Sequence, residues 1–231
     1  MLKLAIGNKN YSSWSMRPWV LLRQFNIPFE ELMLRFDGFE PGSRFKQAVT
    51  RLSPVGKVPV LIHGNLVVWD TLAIAEYLAE YAAEHFPEHA LWPRAQATRA
   101  RARSVCAEMH SGFGALRSAC PMNIEARLPE VGRRVLAEQT GVAADLARII
   151  QLWGQALAAS GGPFLFGSYS IADAYYAPVA ARLRSYALPL PAELAAYVER
   201  LWASPGVAAW VQGALAEQTF LDFEEPYRQH R

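Results

Sequence analysis

The chain of 231 residues is poor in cysteine and nearly free of net charge, and each scarcity removes a class of function. Its two cysteines, Cys106 and Cys120, lie in sequence with a helical pattern. A disulfide framework is therefore not expected, and both thiols are predicted to be free in a reducing compartment. The 23 basic and 21 acidic residues almost cancel, so no overall field attracts nucleic acid or a membrane.

Long apolar runs are missing as well. The apolar stretch in the N-terminal sequence MLKLAIGNKN is too short for a secretory signal, and no later stretch approaches the roughly 20 residues of a membrane span. We therefore expect a soluble, cytoplasmic protein. The 52% hydrophobic composition is ample for one large or two small packed domains.

The sequence predicts two domains of different class. Residues 1–84 alternate between strand and helix patterns in the order β-α-β-α-β-β-α, which is the thioredoxin-like arrangement. A proline-bearing linker follows at residues 85–93. From residue 94 to 231 strand signals largely vanish, and periodic apolar segments predict helices at 94–118, 128–159, 170–186, 191–203 and 205–218. Ser170 and Asp173 have the spacing of a capping box at a helix start.

The first predicted helix begins at Ser12-Ser13-Trp14-Ser15, where thioredoxin-like redox proteins carry two cysteines. Dithiol exchange by the protein is therefore excluded, and any thiol chemistry must come from a bound cofactor. A serine hydroxyl at a helix N-terminus can donate to a thiolate, and the helix dipole adds to the stabilisation. The alternative is that these serines only cap and solvate the turn.

Four motifs, in order, resemble the cytosolic glutathione S-transferases: NYSSWSMRPWVLL, SPVGKVPVL, VVWDTLAIAEYL and FLFGSYSIADAYY. The resemblance covers nearly the whole chain and is strongest to serine-type enzymes related to the zeta class and to bacterial glutathione transferases. It implies the glutathione transferase fold, with an α/β thioredoxin-like N-terminal domain followed by an all-α C-terminal domain. It also implies a homodimer, with glutathione as cosubstrate and a small electrophile as second substrate.

The resemblance also implies how glutathione is held. The Val58–Pro59 bond is expected to be cis, which frees the Val58 main chain to pair with an extended peptide as an added strand. A proline that only blocks edge aggregation is the alternative. Thr71 is expected to hold the γ-glutamyl carboxylate at a helix N-terminus, and Asp70 to accept from the α-ammonium. Either Lys57 or Arg44 could face the glycyl carboxylate, or be an ordinary surface charge.

By the same resemblance Ser12 is expected to donate to the thiolate, with Ser13 as the second candidate and Ser15 as a helix cap. Lowering the thiol pKa by ~2 units increases the reaction rate only a few-fold, because the nucleophilicity of the thiolate falls as its pKa falls. Most of the acceleration must come from positioning the electrophile. Its pocket is expected between the domains, with His110, Phe113 and Arg117 in its wall.

Two further clusters have features of a binding site. The segment TRARAR, with Arg99, Arg101 and Arg103, could bind an acidic substrate, although alternate helix positions do not share one face. His85 and His89 have the spacing of a metal pair, but Pro87 separates them and no third ligand is apparent, so no metal is expected.

The sequence thus predicts a glutathione-dependent transferase or isomerase. Conjugation, zeta-like isomerisation of a maleyl compound, dehalogenation and peroxidase activity are all compatible with it. The alternative is a noncatalytic protein-interaction module, since the same fold also serves for binding alone.

Overall fold

The computed structural model describes all residues from 1 to 231, and its first part is an α/β domain built on a four-stranded sheet. The sheet has the order β2-β1-β3-β4, in which β1 is parallel to β2 and antiparallel to β3. The elements are β1 (Leu2–Ile6), α1 (Ser13–Gln24), β2 (Phe29–Met33), α2 (Arg44–Leu52), β3 (Val60–His63), β4 (Leu66–Trp69) and α3 (Thr71–His85). This confirms the predicted thioredoxin-like order.

The β3–β4 hairpin explains how a proline fits beside the sheet. Gly64, with φ of 60°, and Asn65 form the two-residue turn between the paired residues His63 and Leu66. Pro59 comes directly before β3, so its missing N–H removes no ladder hydrogen bond. The Val58–Pro59 peptide bond is cis.

The second part of the chain is all-helical, as predicted. It contains α4 (Gln96–Ser111), α5 (Gly114–Ala119), α6 (Pro129–Glu138), α7 (Thr140–Ser160), α8 (Ile171–Ser185), α9 (Ala192–Trp202) and α10 (Pro205–Glu217), followed by a 3₁₀ turn at Asp222–Glu224. No helix is long and apolar enough to span a bilayer.

Two of the predicted helices are each split into two, so the prediction of single helices there was wrong. The segment 94–118 breaks at Phe113, whose φ of 56° is left-handed. The segment 128–159 breaks at Gln139, which is extended with φ −119° and ψ 95°. In both cases buried apolar residues continue on either side of the break, so the hydrophobic periodicity does not show it.

The predicted capping box at α8 is confirmed, and its Asp173 also bonds to residues outside this helix start. Asp173 accepts from the main-chain N–H of Ser170 at 2.9 Å, and Ser170 Oγ accepts from Ala172 N–H at 3.3 Å. The other carboxylate oxygen of Asp173 accepts from Leu165 N–H at 3.1 Å and from the Tyr197 hydroxyl at 3.0 Å. This buried carboxylate therefore joins the loop before α8 to helix α9.

Helix α1 contacts the helical domain through α8 and α10, and this packing places the start of α1 beside the second domain. Trp19 of α1 meets Trp210 of α10 edge-on, with 5.3 Å between ring centroids. Gly206 allows the close approach, because a Cβ there would lie 2.3 Å from the carbonyl oxygen of Val20. The hydrophobic core accordingly runs through both domains.

Candidate active site

A cleft between the two domains contains two adjoining cavities. One, of about 390 Å³, lies at the start of α3; we call it the α3 cavity, and its wall includes Val55, Pro59, Trp69, Asp70, Thr71 and His110. The other, of about 370 Å³, lies at the start of α1; we call it the α1 cavity, and its wall includes Ser12, Ser13, Phe36, Lys46, Arg182 and Glu224. Trp14, Lys57, Val58 and Arg117 line both cavities.

The main chain of Val58 forms a free edge in this cleft. Neither its N–H nor its C=O is hydrogen-bonded to another group of the chain, although the ladder of β3 begins two residues later. A half-buried residue with both main-chain groups free can pair with an extended peptide in the manner of an added strand. The structure thus places this edge where the sequence predicted it.

Asp70 and Thr71 lie together at the N-terminus of α3. Asp70 caps the helix, because its Oδ1 accepts from Leu72 N–H at 3.0 Å, and its Oδ2 lies 3.3 Å from His110 Nε2 of the helical domain. The Thr71 hydroxyl is buried and lies 2.9 Å from the Tyr175 hydroxyl of α8. The N–H at the first helical position has no partner within the helix, so this end of the cavity favours an anion.

The two cations considered for the glycyl carboxylate lie in different places. Lys57 is exposed and lines both cavities. Arg44 lies outside them, and its Nε donates to Asp37 at 2.9 Å, so it is the ordinary surface charge that was the alternative for this residue. Lys46, which the sequence analysis did not single out, lines the α1 cavity and donates to the carbonyl oxygen of Gly56 at 2.7 Å.

Both candidate serines line the α1 cavity. Ser12 is the residue before α1, and its Oγ lies 2.7 Å from Ser15 Oγ. Ser15 is fully buried inside the helix and accepts from Gly7 N–H at 3.2 Å, so it is not the helix cap that was predicted. Ser12 donates the hydrogen bond to Ser15, and because a hydroxyl proton rotates, the Ser12 O–H can turn from Ser15 towards a ligand in the cavity. Ser13 is half-buried, and its hydroxyl bonds to no group of the chain.

Tyr11 brings a third hydroxyl to this cavity, which the sequence analysis missed. Its OH donates to Glu225 at 2.7 Å and lies 3.1 Å from the carbonyl oxygen of Thr219. Burial, with the hydrogen bond to Glu225, raises the pKa of Tyr11 to about 12. The phenol therefore fixes the C-terminal segment and is not available to a ligand.

Of the three residues predicted for the wall of the electrophile pocket, two line the cleft and one does not. His110 lines the α3 cavity, where its ring meets Trp14 edge-on at 5.1 Å, and Arg117 lines both cavities. Phe113 is buried in the core at the α4–α5 break and lines neither, so its assignment was wrong.

The arginines of TRARAR point away from the cleft. Arg99 donates to the carbonyl oxygens of Pro93 and Arg94, Arg101 to Gln155, and Arg103 to Glu76. They therefore contribute no charge to either cavity.

The sheet, the free main-chain edge and the helix N-terminus define a two-domain protein of the thioredoxin-like class with a peptide-sized cleft. Residues 11–81 match the family model for the glutathione S-transferase N-terminal domain, and residues 96–213 match the one for the C-terminal domain. The chain therefore belongs to the glutathione S-transferase family.

Individual relatives agree with this assignment. Glutathione S-transferase 1 of Dianthus caryophyllus is 34% identical over 98 residues, which is 42% of this chain and 41% of that protein. The chain thus spans about two-fifths of the length of this curated relative. A glutathione transferase homolog from Burkholderia, solved with bound glutathione, is 25% identical with a TM-score of 0.71, over 93% of this chain and 98% of that one.

A solved structure of lower sequence identity shares the fold alone. The nitrogen regulation fragment of the yeast prion protein Ure2p is 16% identical with a TM-score of 0.69, over 92% of this chain and 96% of that one.

Proposed function

We propose that this protein is a glutathione-dependent transferase of the serine type, with glutathione in the α3 cavity and a small electrophile in the α1 cavity. The observation that carries the proposal is the free main-chain edge of Val58 beside the N-terminus of α3. Glutathione is an extended tripeptide with a carboxylate at each end, so it matches an edge that ends at an anion-binding helix terminus.

Four residues orient the tripeptide in this arrangement. The Val58 main chain pairs with the central residue of glutathione. The N–H and hydroxyl of Thr71 donate to the γ-glutamyl carboxylate, and the carboxylate of Asp70 accepts from the α-ammonium. Lys57, exposed at the wall shared by both cavities, faces the glycyl carboxylate.

The thiol then lies at the start of α1. Its proton leaves to solvent, and the hydroxyl of Ser12 donates to the thiolate, with the helix dipole adding to the stabilisation. The sulfur lone pair attacks an electrophilic carbon and forms a C–S bond. Conjugation, zeta-like isomerisation and dehalogenation begin with this step, and peroxide reduction uses the same thiolate. Since the shift in pKa supplies only a few-fold, most of the rate comes from holding both substrates together.

The test is to replace each hydroxyl at the start of α1 separately. Ser12→Ala should raise the pKa of bound glutathione's thiol by about one unit, read from thiolate absorbance against pH, while glutathione affinity changes little. Tyr11→Phe is the matched control, because the Tyr11 hydroxyl is already bonded to Glu225. If Ser13→Ala alone moves the thiol pKa, the thiolate donor is Ser13.

Calorimetric titration with glutathione separates this function from the noncatalytic interaction module. A chain that binds no glutathione at millimolar concentration would contradict the proposal and favour the module.

A cytoplasmic homodimer remains a prediction, and light scattering of the purified protein measures the oligomeric state.

A further inference from the structure

Two arginine side chains stack on one tryptophan at the boundary between the two cavities. The guanidinium carbon of Arg17 lies 4.1 Å from the Trp14 ring centroid, and that of Arg117 lies 4.8 Å from it. Arg17 also lies 4.6 Å from the ring centroid of Tyr175. An indole face attracts one cation, but two cations this close repel each other.

Arg17 is buried without an acidic partner. It is 3% exposed, and its Nε and Nη1 have no hydrogen-bond partner. Burial is the main reason why its pKa falls to about 10, so the side chain is still charged at neutral pH. A buried, unpaired guanidinium is costly, and stacking on Trp14 and Tyr175 offsets only part of that cost.

Arg182, from helix α8, brings a third arginine to the same region and is the second of them to be buried. It is 5% exposed, and it donates through Nε to the carbonyl oxygen of Cys120 at 2.9 Å and through Nη1 to that of Pro178 at 3.0 Å. These two bonds fix the guanidinium in the wall of the α1 cavity and leave Nη2 without a partner in the chain. None of the three arginines forms an ion pair, whereas several arginines elsewhere do, including Arg103, Arg148 and Arg228.

The rest of the α1 cavity shows what kind of molecule fits these cations. The wall carries four basic side chains and a single carboxyl group: Lys46, Lys57, Arg117 and Arg182 against Glu224. Aromatic residues supply much of the remaining surface: Tyr11, Trp14, Phe36, Phe39 and Phe45. A planar apolar body with one anionic group satisfies both parts of this wall.

We propose that the second substrate is an electrophile that carries a carboxylate, bound through that carboxylate by Arg117 and Arg182 in the α1 cavity. Arg17 adds charge from behind Trp14. This inference rests on the proposed function, because the electrophile must meet the thiolate of bound glutathione. The carboxylate site differs from those for glutathione's own carboxylates, which are placed at Thr71 and Lys57.

The chemistry can be followed with a halogenated nitrobenzoate. In 4-chloro-3-nitrobenzoate the thiolate attacks the carbon bearing chlorine and a C–S bond forms. The C–Cl bond breaks, and chloride leaves with its electron pair. The carboxylate is unchanged, so it serves only for binding. The matched neutral substrate is 4-chloro-3-nitrobenzamide, which has nearly the same shape.

The experiment compares these two substrates at saturating glutathione, with each rate divided by its uncatalysed rate. The wild-type protein should prefer the acid over the amide by about tenfold or more in kcat/KM, the size of a charge-assisted hydrogen bond. Arg117→Gln and Arg182→Gln should each raise KM for the acid by about tenfold, leave kcat within about threefold, and barely affect the amide. Arg101→Gln, which removes an exposed arginine outside the cleft, is the control.

Two additions make every outcome informative. Arg182 donates to two carbonyl oxygens, so its replacement by Gln could prevent folding; in that case Arg117→Gln alone tests the carboxylate site. Arg182→Lys tests whether a positive charge at this position is enough to keep the preference for the acid. Binding of the two product conjugates, carboxylate and carboxamide, is measured by calorimetry. A chain that binds glutathione but turns over neither substrate is then judged by which conjugate binds more tightly.

Binding of glutathione itself separates the two proposals. Suppose that glutathione binds, but kcat/KM is the same for the amide as for the acid, or falls equally for both substrates in the variants. The carboxylate site is then wrong, and the proposed function stands. If glutathione does not bind, the carboxylate site and the proposed function are both wrong.

Discussion

The two cavities of the cleft use different parts of the chain for recognition. In the α3 cavity the side chains are already bonded within the protein, as with Thr71 to Tyr175 and Asp70 to Leu72, and the free groups belong to the main chain of Val58. The α1 cavity shares the Val58 edge, but its wall carries two arginine side chains that have no acidic partner: Arg117 and Arg182. An edge made of main chain depends on the fold, whereas a cluster of arginines depends on single residues. The second cavity is therefore where specificity can change without a change of fold.

The largest expected effect concerns the α3 cavity. Thr71→Val keeps the shape of the side chain but removes the hydroxyl that faces Tyr175. A lost hydrogen bond to a charged group costs about 1.5–3 kcal/mol, so glutathione should bind about 10- to 100-fold more weakly in calorimetry. Thr50→Val, at an exposed threonine of α2, is the control. An unchanged affinity would remove Thr71 from the glutathione site. The preference between acid and amide should stay the same, because it belongs to the other cavity.

The contrast between the cavities also marks what the sequence could predict. The order of strands and helices along the chain and the capping box at Ser170 depend on short-range patterns, and both were predicted from the sequence. Val58 comes just before strand β3, and Asp70 and Thr71 come just after strand β4. Because β3 and β4 form one hairpin, these three residues meet in the α3 cavity.

The arginine cluster could not be found in this way. Arg17 and Arg182 lie on α1 and α8, far apart in sequence, and they meet only because α1 packs against α8. A buried arginine and a solvated one also give the same helical periodicity. The segment TRARAR was the more visible basic cluster, but its arginines are bonded outside the cleft.

The second prediction uses stability to test whether Arg17 is an uncompensated charge. Arg17→Met keeps much of the volume and removes the buried cation, so the free energy of unfolding should rise by about 1–2 kcal/mol after the loss of stacking on Trp14. The preference for acid over amide should fall in the same variant. Denaturant unfolding measures the first effect and the substrate pair measures the second.

Arg23→Met on the same helix is the matched control. Arg23 also stacks on an aromatic ring, at 5.2 Å from Trp19, but it is exposed. Its replacement should change stability by less than about 0.5 kcal/mol. If Arg17→Met destabilises the protein, the arginine is structural and adds nothing to an anion site.

The smallest expected effect comes from Glu224, the one carboxyl group in the wall of the α1 cavity. Burial, with the nearby charge of Glu225, raises its pKa to about 7. Because its folded pKa lies above the unfolded value, Glu224 stabilises the fold fully below about pH 4.5, and this contribution is lost as pH rises through about 7. The same ionisation adds a negative charge to a cavity whose other charges are basic: Lys46, Lys57, Arg117 and Arg182.

The added negative charge should lower kcat/KM for a substrate that carries a carboxylate, and it should leave kcat/KM for a neutral substrate unchanged. The ratio of kcat/KM for acid over amide is expected to fall about threefold between pH 6 and 8, as for like charges in a partly solvated site. Glu224→Gln should make the ratio independent of pH in this range, whereas Asp222→Asn, at an exposed acid of the same 3₁₀ turn, should not. A ratio that stays flat in the wild type would mean that the substrate's carboxylate lies away from Glu224. The arginines would then hold it at the Trp14 side of the cavity, where the α1 and α3 cavities meet.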